Sequence, residues 1–202
     1  MSRVLFDFIR SGQIDPIQDS IYGVGYRCSV YLRDGTYLPC VILRQAGALT
    51  QLAIKRFEDE KRGKGVFGVG GAAAYERIVR HFVATGNRIS GHDVAAVEPS
   101  RFAIPQELLN QLEGETTMSW TGFVLEMADR KLFSFGTTFL TEFFHLPDGY
   151  EFGDVVRVHN HSYVSPSGEL RSLEQGMAPF PADYDSSLIL RERQYFVCHY
   201  DA

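Results

Sequence analysis

A central stretch, residues 118–163, constrains the fold of this chain most strongly. It contains four short segments rich in Phe, Val and Leu, at 123–127, 132–135, 139–144 and 155–163, and polar turns separate them. Short apolar segments that alternate with polar residues and end at turns are typical of antiparallel strands. The stretch therefore predicts a sheet formed mainly by neighbouring strands.

The first half of the chain contains a second strand-rich region. Residues 26–32 and 37–43 are rich in Val, Tyr, Ile and Leu, and the Asp34-Gly35 turn separates them. This pattern predicts a β-hairpin, because Asp-Gly is a favoured pair at such turns. Residues 51–57 are interpreted as a third strand that extends the hairpin into a meander.

Helical patterns are fewer than strand patterns. Residues 72–85 carry a broad apolar stripe at helical spacing and are followed by Gly86, which predicts one principal helix. Pro105 at a helix start and Gly114 at its end predict a short second helix over residues 105–113. The predicted class is therefore α+β, with one or more mainly antiparallel curved sheets or a partial barrel, and with these two helices.

The length of 202 residues is suited to one domain. We therefore expect residues 1–202 to form a single domain. Two lobes, 1–98 and 99–202, are the alternative, and the Pro in Glu98-Pro99-Ser100 marks the best boundary between them.

Charge and cysteine content restrict the partners and the compartment. The net charge of −5 argues against binding along a nucleic-acid backbone, which requires clustered Lys and Arg. No apolar run approaches the ~18 residues of a membrane span, and Asp7 interrupts what would be the apolar core of a signal peptide. Three cysteines are a sparse, odd set typical of a reducing compartment, so a cytoplasmic location is expected.

His159 and His161 form the most compact cluster of chemically active residues. Residues two apart on a strand project to one side, roughly 6–7 Å apart, so both imidazoles could reach one metal ion. Val156 and Val158 would then face the core. A third ligand would have to come from elsewhere in the chain, and the candidates are Glu169, Asp183, Glu126, Glu142 and His145. The alternative is a strand whose histidines only form hydrogen bonds with their neighbours.

Two family resemblances fall on this histidine segment. Gly153, five further residues and then His159 and His161 resemble the opening of the first cupin motif, which implies a metal-binding cupin-like site. The Glu that this motif requires three or four residues later is absent, since Glu169 comes too late. Residues 158–168, VHNHSYVSPSG, are similar to the His-x-His segment of JAMM-type metalloproteases, but the Ser-x-x-Asp of that family is missing.

A glycine-rich segment offers a second kind of site. Gly63, Lys64, Gly65 and Gly68 fit the pattern G-x-G-x-x-G before the predicted principal helix. Backbone N–H groups in such a loop can hold a phosphate or a nucleotide at a helix N-terminus. A solvated loop is the alternative and the preferred interpretation, because no β–α–β unit surrounds the glycines.

Aromatic residues suggest a third kind of site, namely a surface for a protein partner. The chain contains 15 Phe and 10 Tyr, and aromatic residues are enriched at interfaces. The residues expected to contact a partner are Trp120, Tyr150 and Phe152. No Ser, Cys and His arrangement typical of nucleophilic catalysis is evident, so catalytic residues stay unassigned and the sequence favours a non-enzyme.

The function expected from the sequence is therefore that of an intracellular binding protein. It would recognise a macromolecular partner, most simply another protein, through an aromatic-rich sheet surface, and a homo-oligomer stays open. The first alternative is a metal-dependent enzyme, either a hydrolase or cupin-like, that uses a divalent ion at His159 and His161. The second is a phosphate or nucleotide binder that uses residues 63–71.

Overall fold

The computed structural model describes residues 3–19, 22–62, 87–138, 140–174, 176 and 180–200. The predicted principal helix, residues 72–85, and the predicted phosphate-binding residues Gly63, Lys64, Gly65 and Gly68 lie outside this part of the chain. Two compact units are present, one from Met1–Pro99 with Tyr195–Ala202 and one from Ser100–Gln194. We call them unit 1 and unit 2, and whether they form one domain or two lobes stays a prediction.

Three α-helices and twelve strands are present in the described residues. The helices are α1 (Arg3–Arg10), α2 (Ala46–Lys61) and α3 (Gln106–Leu109). The strands of the first half are β1 (Ile17–Asp19), β2 (Gly23–Leu32), β3 (Tyr37–Gln45), β4 (Arg88–Ser90) and β5 (Val94–Pro99). Those of the second half are β6 (Thr121–Met127), β7 (Leu132–Thr137), β8 (Val155–Asn160), β9 (Ser162–Val164), β10 (Leu170–Ser172), β11 (Ile189–Arg191) and β12 (Phe196–Tyr200).

Unit 1 is built on one mixed sheet. Its strand order is β1-β2-β3-β12-β4, and β5 also pairs with β2. The predicted hairpin is confirmed, since β2 and β3 pair antiparallel from Tyr26 opposite Leu43 to Tyr31 opposite Tyr37. The last strand, β12, is parallel to both of its neighbours. One face of the sheet packs against α1 through an apolar core that includes Leu5.

The prediction of a third strand at residues 51–57 is wrong, because these residues belong to α2. The segment AGALTQLAIKRFEDEK is rich in Ala, Leu, Gln, Lys and Glu, which favour helix. Helix propensity over these 16 residues therefore prevails over the strand interpretation.

Unit 2 contains a four-stranded sheet of order β11-β7-β6-β8 and a separate two-stranded β9-β10 sheet. Strand β6 is antiparallel to both β7 and β8, whereas β11 runs parallel to β7. Phe123, Phe135 and Phe144 lie at the centre of the unit 2 core and are all at most 1% exposed. Phe123 and Phe135 stack at a centroid distance of 5.2 Å.

The observed fold corrects the predicted architecture in two respects, although the α+β class holds. Both sheets of four or more strands are mixed, and among the described residues neither closes into a barrel. The predicted helix over 105–113 is confined to Gln106–Leu109, and residues 140–144 form only isolated bridges at Phe143 and Phe144. No helix in the described ranges is both long and apolar enough to cross a membrane.

Candidate functional site

The histidine strand departs from the predicted alternation. The pairing of β8 with β6 shifts between Glu126 and Met127, which leaves Val156 as an extra residue in a β-bulge. Val156 is therefore 62% exposed, whereas Val155 and Val158 both pack against the core. The prediction that Val156 faces the core is wrong, because a bulge reverses the side on which each following residue projects.

His159 and His161 contact different carboxylates. Nε2 of His159 lies 3.0 Å from Oε2 of Glu126, and Nε2 of His161 lies 3.0 Å from Oε2 of Glu113. His161 follows the end of β8 and has a φ of 48°, which is unusual for a residue other than glycine. The regular strand geometry predicted for residues 155–163 therefore ends at Asn160.

A hydrogen-bonded chain fixes the His161 ring. The Thr116 hydroxyl accepts a hydrogen bond from the Gly122 N–H at 3.0 Å and lies 2.9 Å from Nδ1 of His161. Because the Glu113 carboxylate only accepts, Nε2 of His161 carries a hydrogen and donates it, and Nδ1 of the neutral ring then accepts from the Thr116 hydroxyl. The order hydroxyl, imidazole and carboxylate is that of a catalytic triad, but Thr116 is only 2% exposed. This arrangement is suited to holding a loop rather than to attacking a substrate.

Asn160 holds the same loop through a second contact. Its Oδ1 accepts a hydrogen bond from the Glu113 N–H at 3.1 Å, and its Nδ2 donates to the Gln111 carbonyl at 2.8 Å. Asn160, the last residue of β8, and His161 therefore attach this end of the strand to the segment 111–116. The bonding accounts for both residues without a ligand.

The described residues place no third metal ligand beside His159 and His161. They contain no group of three or more His, Cys, Asp or Glu side chains that could hold a metal ion. Of the two preferred third ligands, Glu169 pairs with Arg171 and Asp183 accepts a hydrogen bond from the Tyr163 hydroxyl at 2.6 Å. A divalent ion at the histidine pair stays a prediction.

Replacing Thr116 by valine tests the structural interpretation of His161. Valine has a similar shape but loses the hydroxyl contacts of Thr116 with the Gly122 N–H and with Nδ1 of His161. We expect the free energy of unfolding of unit 2 to fall by about 1–3 kcal/mol. Urea denaturation followed by Trp120 fluorescence measures this change. Thr116→Ser, which keeps the hydroxyl, is the control, and equal losses in both variants would contradict the interpretation.

The three predicted partner-binding residues lie in different environments. Phe152 is 8% exposed and belongs to the core, so little of its ring is accessible to a partner. Tyr150 donates its hydroxyl hydrogen bond to Asp129 at 2.7 Å and contacts Phe133 edge to face at 4.9 Å. Trp120 lies with other aromatic rings in a separate groove.

Two paired glycines position Trp120. Gly122 of β6 and Gly136 of β7 are directly opposite each other and form a floor without side chains. A Cβ at Gly136 would lie 2.1 Å from Cζ2 of Trp120, and a Cβ at Gly122 would lie 3.3 Å from its Nε1. The ring therefore lies directly on the backbone of the sheet, a close approach that only glycine permits.

The guanidinium of Arg191 covers the same ring. Arg191 of β11 is paired with Gly136, and its Cζ lies 4.7 Å from the centroid of the Trp120 ring. Its guanidinium also forms a bidentate ion pair with the Glu192 carboxylate, with Nε 2.9 Å from Oε2 and Nη2 3.1 Å from Oε1. This hydrogen bonding with Glu192 raises the pKa of Arg191. The charge of Arg191 is thus already balanced.

Phe180 and Tyr184 complete an aromatic groove. Their rings stack at 4.3 Å with an interplanar angle of 10°, and Phe180 contacts Trp120 edge to face at 6.0 Å. These rings border a cavity of about 520 Å³ that is lined by Trp120, Phe180, Pro181, Tyr184, Ser186, Ile189 and Arg191. We call these seven residues the aromatic groove.

The electrostatic environment of the aromatic groove is weakly polar. Burial raises the pKa of Tyr184, and Arg191 and the Trp120 indole act in the opposite direction. The indole Nε1 of Trp120 is buried and makes no well-formed hydrogen bond in the part of the chain that the structure describes. Apolar contact with the ring faces is therefore the main interaction that the groove can offer.

Sequence reasoning identified one member of the aromatic groove and missed the others. Trp120 was expected to contact a partner, but Phe180, Tyr184 and Arg191 were not assigned to any site. A usable signal was present in Gly122 and Gly136, because glycine inside a strand indicates a close approach of another group. Nothing in the sequence indicates which side chain makes that approach.

The chain matches no known protein-family model, no curated protein and no solved structure. The resemblances to the cupin and JAMM motifs are therefore limited to the short segment around His159 and His161. Among the described residues, the aromatic groove is the site with the clearest binding geometry.

Proposed function

We propose that this chain is a binding protein that holds an extended, proline-containing peptide segment of a partner protein in the aromatic groove. The observation that carries the proposal is the fixed position of Trp120 between the Gly122–Gly136 floor and Arg191. A ring that is already immobilised loses little conformational entropy when a ligand packs on it. Trp and Tyr are also the side chains that most often dominate binding energies at interfaces.

Charge selects the kind of peptide. The charged member of the groove, Arg191, is paired with Glu192, so the groove has little net charge to attract an anion. A cationic side chain is disfavoured as well, because the guanidinium of Arg191 already lies over Trp120. An uncharged, apolar segment is complementary to these surroundings.

Shape favours proline within that segment. Aromatic-lined grooves bind polyproline II segments because these are already extended and lose little entropy on binding. The stacked pair Phe180 and Tyr184 presents aromatic faces beside the perpendicular Trp120 ring, and rigid pyrrolidine rings pack well against such faces. The cavity of about 520 Å³ has room for a few residues of such a segment.

Calorimetric titration with a decaproline peptide tests the proposal. We expect saturable binding, and we expect a Gly-Ser peptide of the same length to bind at least about tenfold more weakly, because it lacks both the rings and the preformed conformation. Absence of decaproline binding by the folded wild-type chain would contradict the proposed function.

The variant Tyr184→Ala tests whether the aromatic groove is the site. It removes one of two stacked rings, so we expect the Kd for decaproline to rise by about tenfold or more. Tyr150→Ala is the matched control, since Tyr150 belongs to the same unit but not to the groove. Equal weakening by the two variants would show that binding occurs elsewhere.

A further inference from the structure

Three basic side chains lie on one face of the sheet of unit 1. Arg44 of β3 is opposite His199 of β12, and Val197 of β12 is opposite Arg88 of β4. Paired residues share a face of a sheet, as do residues two apart on one strand. Arg44, His199 and Arg88 therefore project to the same side, away from the apolar core that contains Leu43.

Two cavities meet at this basic cluster. They share three lining residues, Leu49, Arg88 and His199. The first has a volume of about 170 Å³ and its other lining residues are mostly polar, namely Tyr22, Arg44, Asn87, Tyr195 and Val197. The second has a volume of about 260 Å³ and its other lining residues are mostly apolar residues of α2, namely Ala46, Thr50, Ala53 and Ile54. The cationic side chain of Arg88 thus borders the apolar cavity beside α2.

Arg44 and Arg88 differ in their partners. Arg44 is buried, forms an ion pair with Asp19 at 3.0 Å and donates a hydrogen bond to the Gly23 carbonyl. In contrast, the guanidinium of Arg88 has no hydrogen bond or ion pair within the described ranges, and burial lowers its pKa. Arg88 therefore carries the uncompensated charge of the site.

The positive charges of Arg88 and Arg44 also act on the ring of His199. Its pKa is lowered to about 4, first by burial and then by Arg88 and Arg44. Its ring makes no hydrogen bond to other described residues. At neutral pH the ring is uncharged, and it offers one N–H donor beside Arg88. These two side chains can together satisfy the oxygens of one small anion.

We propose that this cavity pair binds a small carboxylate with an apolar body. The carboxylate would lie between Arg88 and His199, and the body would extend along Leu49, Ala53 and Ile54 of α2. A guanidinium fork matches a carboxylate through two parallel hydrogen bonds. One uncompensated charge also fits a monoanion better than a dianion. The inference concerns unit 1 and does not depend on the aromatic groove of unit 2.

Titration of the full chain with octanoate, below the concentration at which it forms micelles, tests the proposal. Acetate has the same head without the apolar body, and 1-octanol has the body without the charge. We expect each to bind at least about tenfold more weakly than octanoate. Equal affinity of octanoate and acetate would overturn the apolar part of the assignment. Octyl phosphate binding tenfold more tightly than octanoate would overturn the carboxylate assignment.

Substitution of Arg88 locates the binding. In Arg88→Gln we expect the affinity for octanoate to fall by about tenfold or more, because a charge-assisted pair is lost. Arg3→Gln is the matched control, since the Arg3 side chain is 94% exposed and lies in the same unit. Equal affinity in the two variants would overturn the site. If Arg88→Gln does not fold, His199→Gln takes its place with the same expectation.

The titration of His199 provides a readout that binding elsewhere would not change. Followed by NMR, the His199 ring should titrate near pH 4 in the free protein. A bound carboxylate favours the protonated ring, so saturation with octanoate should raise this pKa. The charged groups that face the ring are Arg88 of β4 and Arg44 of β3, and Asp19 of β1 forms an ion pair with Arg44. An unchanged pKa would contradict the proposed position of the ligand.

Discussion

Replacing Phe123 by alanine should lower the free energy of unfolding of unit 2 by about 3–5 kcal/mol. Phe123 is fully buried, stacks on Phe135 at 5.2 Å and contacts Phe144 edge to face at 5.7 Å. Alanine removes both aromatic contacts and leaves a cavity that the antiparallel pairing of β6 with β7 and β8 prevents from collapsing fully. This loss is a large part of the stability of a typical domain.

Urea denaturation measures the effect in the correct unit. Trp120 is the single tryptophan of the chain and belongs to unit 2, so its fluorescence reports that unit. Phe6→Ala is the control, because Phe6 is 39% exposed and belongs to unit 1. A loss below about 1 kcal/mol in Phe123→Ala would contradict the placement of Phe123 at the centre of the core.

Replacing Gly136 by alanine should lower both the stability of unit 2 and its peptide binding. The added Cβ would lie 2.1 Å from Cζ2 and 2.6 Å from Cη2 of Trp120, and 2.8 Å from Cγ2 of Ile189. These distances are far inside van der Waals contact, so either the indole leaves the aromatic groove or strand β7 moves. We expect a loss of about 1–3 kcal/mol from overpacking, a shift of Trp120 emission to longer wavelength, and loss of decaproline binding.

Gly153→Ala is the matched control for this change. A Cβ at Gly153 meets no atom within 4 Å, so the same substitution adds a methyl group without displacing a neighbour. We expect its stability and its peptide binding to match those of the wild type. If Gly136→Ala behaved in the same way as Gly153→Ala, the indole would not rest on Gly136, and the geometry of the aromatic groove would be wrong.

Local patterns predicted much of the sheet structure. The hairpin around Asp34-Gly35 and the strand pair β6 and β7 were identified because their pairing is between neighbours in sequence, where alternation and turn residues determine the register. The α+β class followed from these strands together with the helical patterns.

Long-range pairing could not be predicted in the same way. Strands β11 and β12 pair in parallel with β7 and with β3 and β4, and their own sequences carry no information about partner or direction. Helix α2 was not predicted, although Ala, Leu, Gln, Lys and Glu, which favour helix, make up most of its residues. The bulge at Val156 was missed because it depends on the pairing with β6.

The candidate sites also divide into residues that are close in sequence, which were predicted, and residues that are far apart in sequence, which were not. The histidine pair was found because its residues are two apart, but the bulge and the positive φ of His161 alter the expected geometry. The aromatic groove brings Trp120 together with Phe180, Tyr184 and Arg191, about 60 to 70 residues away along the chain. The pairing of β11 with β7 places Arg191 opposite Gly136, beside the Trp120 ring.

The most direct test of the proposed function uses the indole N–H resonance of the single tryptophan. In a ¹H–¹⁵N spectrum this resonance needs no assignment, and it reports the ring that lines the aromatic groove. We predict that decaproline shifts it progressively and saturably, with the same Kd as calorimetry gives, and that the Gly-Ser peptide leaves it in place. An indole resonance that stays in place while calorimetry records decaproline binding would contradict the aromatic groove as the binding site.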